Sequence, residues 1–161
     1  MPKVVYPGSF DPVTNGHMNI IERCAERFEQ VIVAVLVNVE KEPLFSAQER
    51  LEMLRLCCGH LPNVEVDGFS GLLVDYVRRR GADFIVKGLR AISDFESELQ
   101  QALMNRRLAP EVDTLFMMTD VEYSFLSSHI VKEIARLGGA VGNLVPPAVE
   151  ERLRRKLRSE G

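Results

Sequence analysis

Short apolar runs that suit strands alternate along this chain with stretches of helical periodicity, and few folds accept that order. Val4-Val5-Tyr6 comes first, and Ile21, Cys24, Ala25 and Phe28 then recur at helical spacing. Val31 to Val37 is a near-continuous β-branched run, as expected of a strand buried on both faces of a parallel sheet. Ser46-Ala-Gln-Glu49 forms a capping box ahead of a helix carrying Leu51, Leu54 and Leu56. Val64 to Val66 and Phe84 to Val86 are the next strand runs. Between them a helix near Leu72 to Arg80 stops at Gly81. Ser93-Asp-Phe-Glu96 reads as a second capping box, opening a helix through Leu108. Thr114 to Met118 is the fifth strand. A helix from about Ser127 to Leu137 ends at Gly138-Gly139, and Pro146-Pro147 introduces a basic helix near Ala148 to Arg158. The pattern predicts an α/β fold, a doubly wound five-stranded parallel sheet with right-handed crossovers.

A chain of 161 residues fits one domain, 1–161, with the last helix packed on it. Net charge is −3, so bulk electrostatics speak against nucleic acid as a partner. The three cysteines, Cys24, Cys57 and Cys58, include no C-x-x-C pair, which points away from a zinc site or a disulfide framework and towards a reducing, cytoplasmic compartment. No apolar run of about 18 residues could span a bilayer, so no membrane partner is expected.

In folds of this class the ligand sits beyond the carboxyl ends of the strands. The polar residues that follow the strand runs are therefore the candidates. Tyr6 to His17 is a Gly- and Pro-punctuated loop that delivers Ser9, Gly16 and His17 to a helix N-terminus, an electropositive place with unpaired N–H groups that suits a phosphate. Two readings compete for His17. It either caps and packs, or it aims an N–H at a phosphoryl oxygen where charge develops; the neighbouring Ser9 and Gly16 favour the second. Lys41 follows the second strand run. Lys87 and Arg90 follow the fourth, with Gly88 between them, and two such cations suit a polyphosphate. Tyr123 to His129 follow the fifth. Ser127 and Ser128 open a helix, as caps, anion binders or both. Glu98 reads on pattern alone as a helix-surface carboxylate. Neither GxGxxG nor GxxxxGK(S/T) occurs, which argues against a dinucleotide fold or a P-loop, and nothing has the form of a serine or cysteine triad.

Thr14-Asn15-Gly16-His17 matches the (H/T)-x-G-H signature of the nucleotidyltransferase superfamily. Tyr6-Pro-Gly-Ser-Phe-Asp-Pro12, Lys87-Gly-Leu-Arg90, Asp94-Phe-Glu96 and Tyr123-Ser-Phe-Leu-Ser-Ser128 extend the match along the whole chain, in order. Together they resemble the bacterial phosphopantetheine adenylyltransferase family. The resemblance implies a Rossmann-like nucleotidyltransferase fold and transfer of the adenylyl group of ATP to 4′-phosphopantetheine, giving dephospho-coenzyme A and pyrophosphate. It implies Mg²⁺ and a homohexamer built as a dimer of trimers. It assigns Ser9, Lys41, Leu73 and Lys87 to phosphopantetheine. It assigns Ser9, Phe10, His17, Gly88, Leu89, Arg90, Glu98, Tyr123, Ser124, Phe125, Leu126, Ser127, Ser128 and His129 to ATP. His17 would be the transition-state stabiliser, aided by Lys41, Lys87 and Arg90. The chain departs from the family pattern at position 87, Lys where other members carry Arg, and at position 129, His where many continue the serine run.

A phosphate monoester is already ionised at neutral pH, so attack on the α-phosphorus needs neither a general base nor a nucleophilic side chain. Other acceptors, such as nicotinamide mononucleotide or glycerol phosphate, would use the same chemistry. A nucleotide-binding sensor without turnover is the alternative of a different class.

Overall fold

The computed structural model of the chain describes residues 2–39, 42–90 and 92–160, apart from the side chains at 92, 93 and 160. Strands β1 (Lys3–Gly8), β2 (Gln30–Leu36), β3 (Val64–Phe69), β4 (Phe84–Leu89) and β5 (Asp113–Met118) alternate with helices α1 (Asn15–Arg27), α2 (Ala47–Cys58), α3 (Leu73–Arg80), α4 (Ile92–Leu108), α5 (Ser128–Arg136) and α6 (Pro147–Glu160). The strands form one parallel sheet in the order β3-β2-β1-β4-β5.

Alternation along the strands builds an apolar layer on each face of the sheet. Val4, Tyr6, Val31, Val33 and Val35 face one way, onto Ile20 and Ile21 of α1, Met53 and Leu54 of α2, Val131 of α5 and Leu153 of α6. Val5, Ile32, Ala34 and Ile85 face the other, onto Val74 and Val77 of α3. Helices on both faces leave the central strands no wet side, which is why Val31 to Val35 are all fully buried and show no polar alternation.

Four sequence expectations change in detail. β4 runs on to Leu89, so Lys87 and Gly88 lie within the strand rather than after it. Pairing with β5 out to Leu89↔Met118 keeps that stretch extended. Secondly, α4 starts at Ile92, so Ser93 lies in its first turn and is not the N-cap of a capping box. Thirdly, β1 continues through Pro7 and Gly8, because β2 pairs with it as far as Gly8↔Val35. Finally, α6 starts at Pro147, the first helical position, where a proline's missing N–H costs nothing. By contrast, Gly81 takes the expected left-handed stop (φ 64°) at the end of α3.

The sheet opens where its order reverses. β1 pairs with β4 at Val4↔Phe84 and Val5↔Ile85 alone. Beyond those positions β1 follows β2 while β4 follows β5, and the two central strands part. A crevice at such a switch point is the expected ligand position of an open α/β sheet.

Candidate active site

The β1–α1 loop places an imidazole at the mouth of this crevice. Thr14 caps α1, its Oγ1 accepting the His17 N–H at 3.2 Å. The Thr14 N–H donates in return to His17 Nδ1 at 3.0 Å. This is a capping box with imidazole where Glu or Gln usually stands. Capping and donation are therefore not alternatives for His17. Accepting at Nδ1 requires that nitrogen to be unprotonated, so the neutral ring carries its proton on Nε2. Burial, then the fields of Arg90 and Lys87, lower the His17 pKa to about 4. The ring is thus a neutral Nε2–H donor near pH 7. Phe10 meets it edge-on at 4.9 Å and Tyr6 at 5.5 Å. Phe10 is the non-glycine residue of this loop held at positive φ (51°), a strained geometry of the kind that collects at functional sites. Its ring is buried and serves as a wall under the imidazole.

At Gly16, α1 packs against the stretch after β5, with room for no more than ordinary contacts. A Cβ there would sit 3.4 Å from Thr14 Oγ1 and 3.6 Å from the Tyr123 Cβ. Ser127 caps α5 by accepting the Ile130 N–H at 3.1 Å. The Ser128 hydroxyl donates to the Pro12 carbonyl at 2.8 Å, joining α5 to the β1–α1 loop. The N-termini of α1 and α5 therefore both border the cleft, each with first-turn N–H groups that have no partner within their helix.

Cations on the cleft wall are held by carboxylates. Arg90 gives Nε to Asp94 at 2.9 Å and a terminal nitrogen to the Leu126 carbonyl at 2.8 Å, which fixes the approach to Ser127. The Lys87 ammonium lies 3.3 Å from Glu98 Oε2. Glu98, read from pattern as a surface carboxylate, is thus the partner of Lys87, and no hydrogen bond satisfies that buried oxygen.

Sequence reasoning missed Asp11, Arg50 and Lys132. Asp11 is buried and accepts the N–H groups of Leu44 and Phe45, both at 2.9 Å, and the Lys132 ammonium at 3.1 Å. Arg50, 1% exposed, donates to the carbonyls of Ser9, Leu36, Val37 and Phe45. One signal was legible, since Arg50, Met53 and Leu54 stand at i, i+3 and i+4, the buried face of α2. Another was the lysine one helical turn after Ser128. Nothing in the local pattern marked Asp11.

The cleft encloses about 490 Å³ and is bordered by Ser9, Phe10, His17, Lys87, Gly88, Arg90, Glu98, Leu126, Ser127 and Ser128 among the expected residues. Leu89, Tyr123, Ser124 and Phe125 stand off its lining; Phe125 is exposed. His129 points to solvent, its ring 3.9 Å from Glu133, so its side chain takes no part in the cleft wall. Leu73 borders a separate small hollow, which it shares with Lys87, Glu98, Ala102 and Asn105. Lys41 lies outside the described residues.

Residues 5–134 match the Cytidylyltransferase-like family. A Heliobacterium modesticaldum phosphopantetheine adenylyltransferase is 58% identical over 97% of this chain and 93% of its own length. The Carboxydothermus hydrogenoformans enzyme of the same name is 55% identical over 98% of this chain and 97% of its own. The chain belongs to the phosphopantetheine adenylyltransferases. Among solved structures, a Plasmodium falciparum nicotinic acid mononucleotide adenylyltransferase superposes with a TM-score of 0.66 at 10% identity, covering 98% of this chain and 95% of its own. That likeness shows a shared fold.

Proposed function

We propose that this chain transfers the adenylyl group of ATP to 4′-phosphopantetheine, giving dephospho-coenzyme A and pyrophosphate. Family membership over nearly the whole chain supports the reaction. The observation that carries the site is the neutral His17 Nε2–H beside two helix N-termini and the Lys87 and Arg90 cations. A phosphate oxygen of phosphopantetheine forms a bond to the α-phosphorus as the bond from that phosphorus to its bridging oxygen breaks. The electron pair leaves with pyrophosphate, and no proton moves.

Lys87 orients the attacking phosphate, exchanging Glu98 for it, and Lys41 is the second cation for that phosphate. Leu73, in the adjoining hollow, faces the pantetheine arm. His17 donates to the α-phosphate as charge builds there, at no reorganisation cost because Thr14 already fixes the ring. Arg90, Ser127 and Ser128 hold the departing end. No cysteine competes as a nucleophile: burial raises Cys24 and Cys57 to about 11 and Cys58 to about 12.

Mg²⁺ would come with the nucleotide. Among the described residues no group of three or more His, Cys, Asp or Glu is placed to hold a metal. Asp11, Asp94 and Glu98 already serve Lys132, Arg90 and Lys87. Bound to the triphosphate, the ion would offset part of that group's charge.

The test compares acceptors at fixed ATP and follows pyrophosphate. Release with 4′-phosphopantetheine, and far less with nicotinate mononucleotide or glycerol phosphate, is expected. Preference for either other acceptor would overturn the assignment.

We also propose self-association into a homohexamer. Phe95, Leu99 and Leu103 form an exposed apolar stripe along α4, the kind of patch that marks an interface. Light scattering should return six times the 18.2 kDa chain mass. A monomer at working concentration would remove the proposal. Among the described residues, no helix is long and apolar enough to cross a membrane.

A further inference from the structure

We propose that Asn19, Arg23 and Asp120 form a clasp that positions the segment after β5 for the nucleoside end of the nucleotide. All three act through that segment, as positioning residues. The proposal rests on the adenylyl-transfer reading of the same site.

The segment between β5 and α5 meets the cleft at its two ends, Thr119 and Leu126, and stands off it at Tyr123 to Phe125. Its far end is fixed by the Arg90 bond to the Leu126 carbonyl and by the Ser127 cap. Its near end leaves the sheet after a bond from the Thr119 N–H to the Leu89 carbonyl at 2.9 Å. There α1 takes hold. Asn19 Nδ2 donates to Asp120 Oδ2 at 2.8 Å. Arg23, one turn further along the same face of α1, donates from Nη1 to the Met118 carbonyl at 2.6 Å and to Asn19 Oδ1 at 3.2 Å, and lies 3.7 Å from Asp120 Oδ1. The residues on both sides of Thr119 are thus held to α1, the helix that carries His17 in its first turn. Asp120 caps nothing in the turn Val121–Tyr123 that follows it.

The wall that this segment completes is uncharged. A Cβ on Gly88 would sit 3.3 Å from Ile20 Cγ1 and 3.9 Å from Thr119 Oγ1, so β4, α1 and the segment meet around that glycine. Ile20, Gly88, Thr119 and Leu126 border the cleft there. A triphosphate is drawn to the cations and the helix ends, which leaves this wall to the base and sugar. A segment already ordered by the clasp need not be ordered when the nucleoside binds.

The test uses the full chain with Asn19→Asp, with Asp120→Ala, and with Asn19→Asp and Asp120→Asn together. Asn19→Asp sets two carboxylates against each other. The double exchange rebuilds the bond with donor and acceptor reversed and leaves Arg23 a carboxylate. Calorimetry measures AMP, inorganic pyrophosphate and 4′-phosphopantetheine separately. Asn19→Asp and Asp120→Ala should each weaken AMP by about 3- to 10-fold, the cost of ordering a side chain or two on binding. Pyrophosphate and phosphopantetheine should bind as before, and the double exchange should restore AMP. Equal loss of all three ligands would make the clasp a fold-holding contact and overturn the proposal. Unchanged AMP binding, or a double exchange as weak as Asn19→Asp, would overturn it too. Should Asn19→Asp fail to fold, Asp120→Ala, on an exposed side chain, decides by the same comparison of ligands. Wild-type protein that turns over ATP while both single variants bind AMP normally sinks this inference alone. Wild-type protein that binds neither ATP nor AMP sinks the adenylyl-transfer reading with it.

Discussion

His17→Ala should lower kcat by about 10²–10³-fold, while the dissociation constant of ATP changes far less. That is the usual loss when one preorganised donor to a developing charge is removed. The structure explains why the effect belongs to the transition state. The ring is already neutral, already in the Nε2–H tautomer through the Thr14 N–H bond, and already braced by Phe10, so nothing need rearrange as charge builds. His17→Ala also removes half of the α1 capping box, and His17→Glu separates the two roles. Glutamate restores the cap, being the residue that usually stands there, but at neutral pH it has no N–H to donate. Melting temperature should recover in His17→Glu while turnover stays lost.

The pH profile checks the same point. With the folded pKa near 4 and the unfolded value near 6.5, the unfolded chain binds the extra proton between those values. The histidine's contribution to stability is therefore complete above about pH 6.5 and falls away as pH drops towards 4. Turnover should decline on the acid side with the second ionisation of the substrate phosphate, near pH 6. The His17 resonances should not titrate between pH 5.5 and 8, a window above the folded value. A histidine titrating near 6.5, or equal losses in ATP affinity and turnover for His17→Ala, would make His17 a binding residue and no more.

Much of this site lies at positions that periodicity marks. His17, Ser127 and Ser128 sit at helix starts, Arg90 directly follows β4 and Lys87 lies in the carboxyl half of that strand, so the rule that ligands gather at strand carboxyl ends finds them. What the pattern hid was the second set of contacts. The carboxylate at 98 read as helix surface and the one at 94 as the interior of a capping box, and their pairing with Lys87 and Arg90 depends on how α4 returns over β4. Asp11 sits in a loop with no period, and its partners are 33, 34 and 121 residues away. The ends of β1 and β4 were misjudged because strand length there is set by ladders to β2 and β5, and a Pro-Gly or Lys-Gly step does not stop pairing when the neighbour continues. The crevice follows from the pairing between β1 and β4 ending early, which no single segment encodes.

Arg50→Met should destabilise the fold by about 3–5 kcal/mol, because the guanidinium is a buried hub for four carbonyls. It bonds the Ser9 oxygen at 2.9 Å and the Leu36 oxygen at 2.8 Å, with longer contacts to Phe45 at 3.2 Å and Val37 at 3.3 Å. Burial lowers the Arg50 pKa and the nearby Asp11 charge raises it in part; an arginine remains protonated through such a shift. Methionine keeps much of the stem's packing and leaves the four carbonyls without their shared donor, so the loss falls on the polar contacts. For a chain of this length the expected fall in melting temperature is roughly 6–20 °C. Arg50→Lys should land between the two, since a single ammonium cannot span carbonyls on β1, β2 and the loop before α2 together. The same substitution also tests the site. Ser9 borders the cleft and its carbonyl is tied down by Arg50, so whatever Arg50→Met protein folds at low temperature should show a raised KM for phosphopantetheine, one of the two substrates to which the family resemblance assigns Ser9. A melting temperature lowered by less than about 2 °C would mean that water replaces the guanidinium at these carbonyls, and that the ends of β1 and β2 are held by the ladder without it.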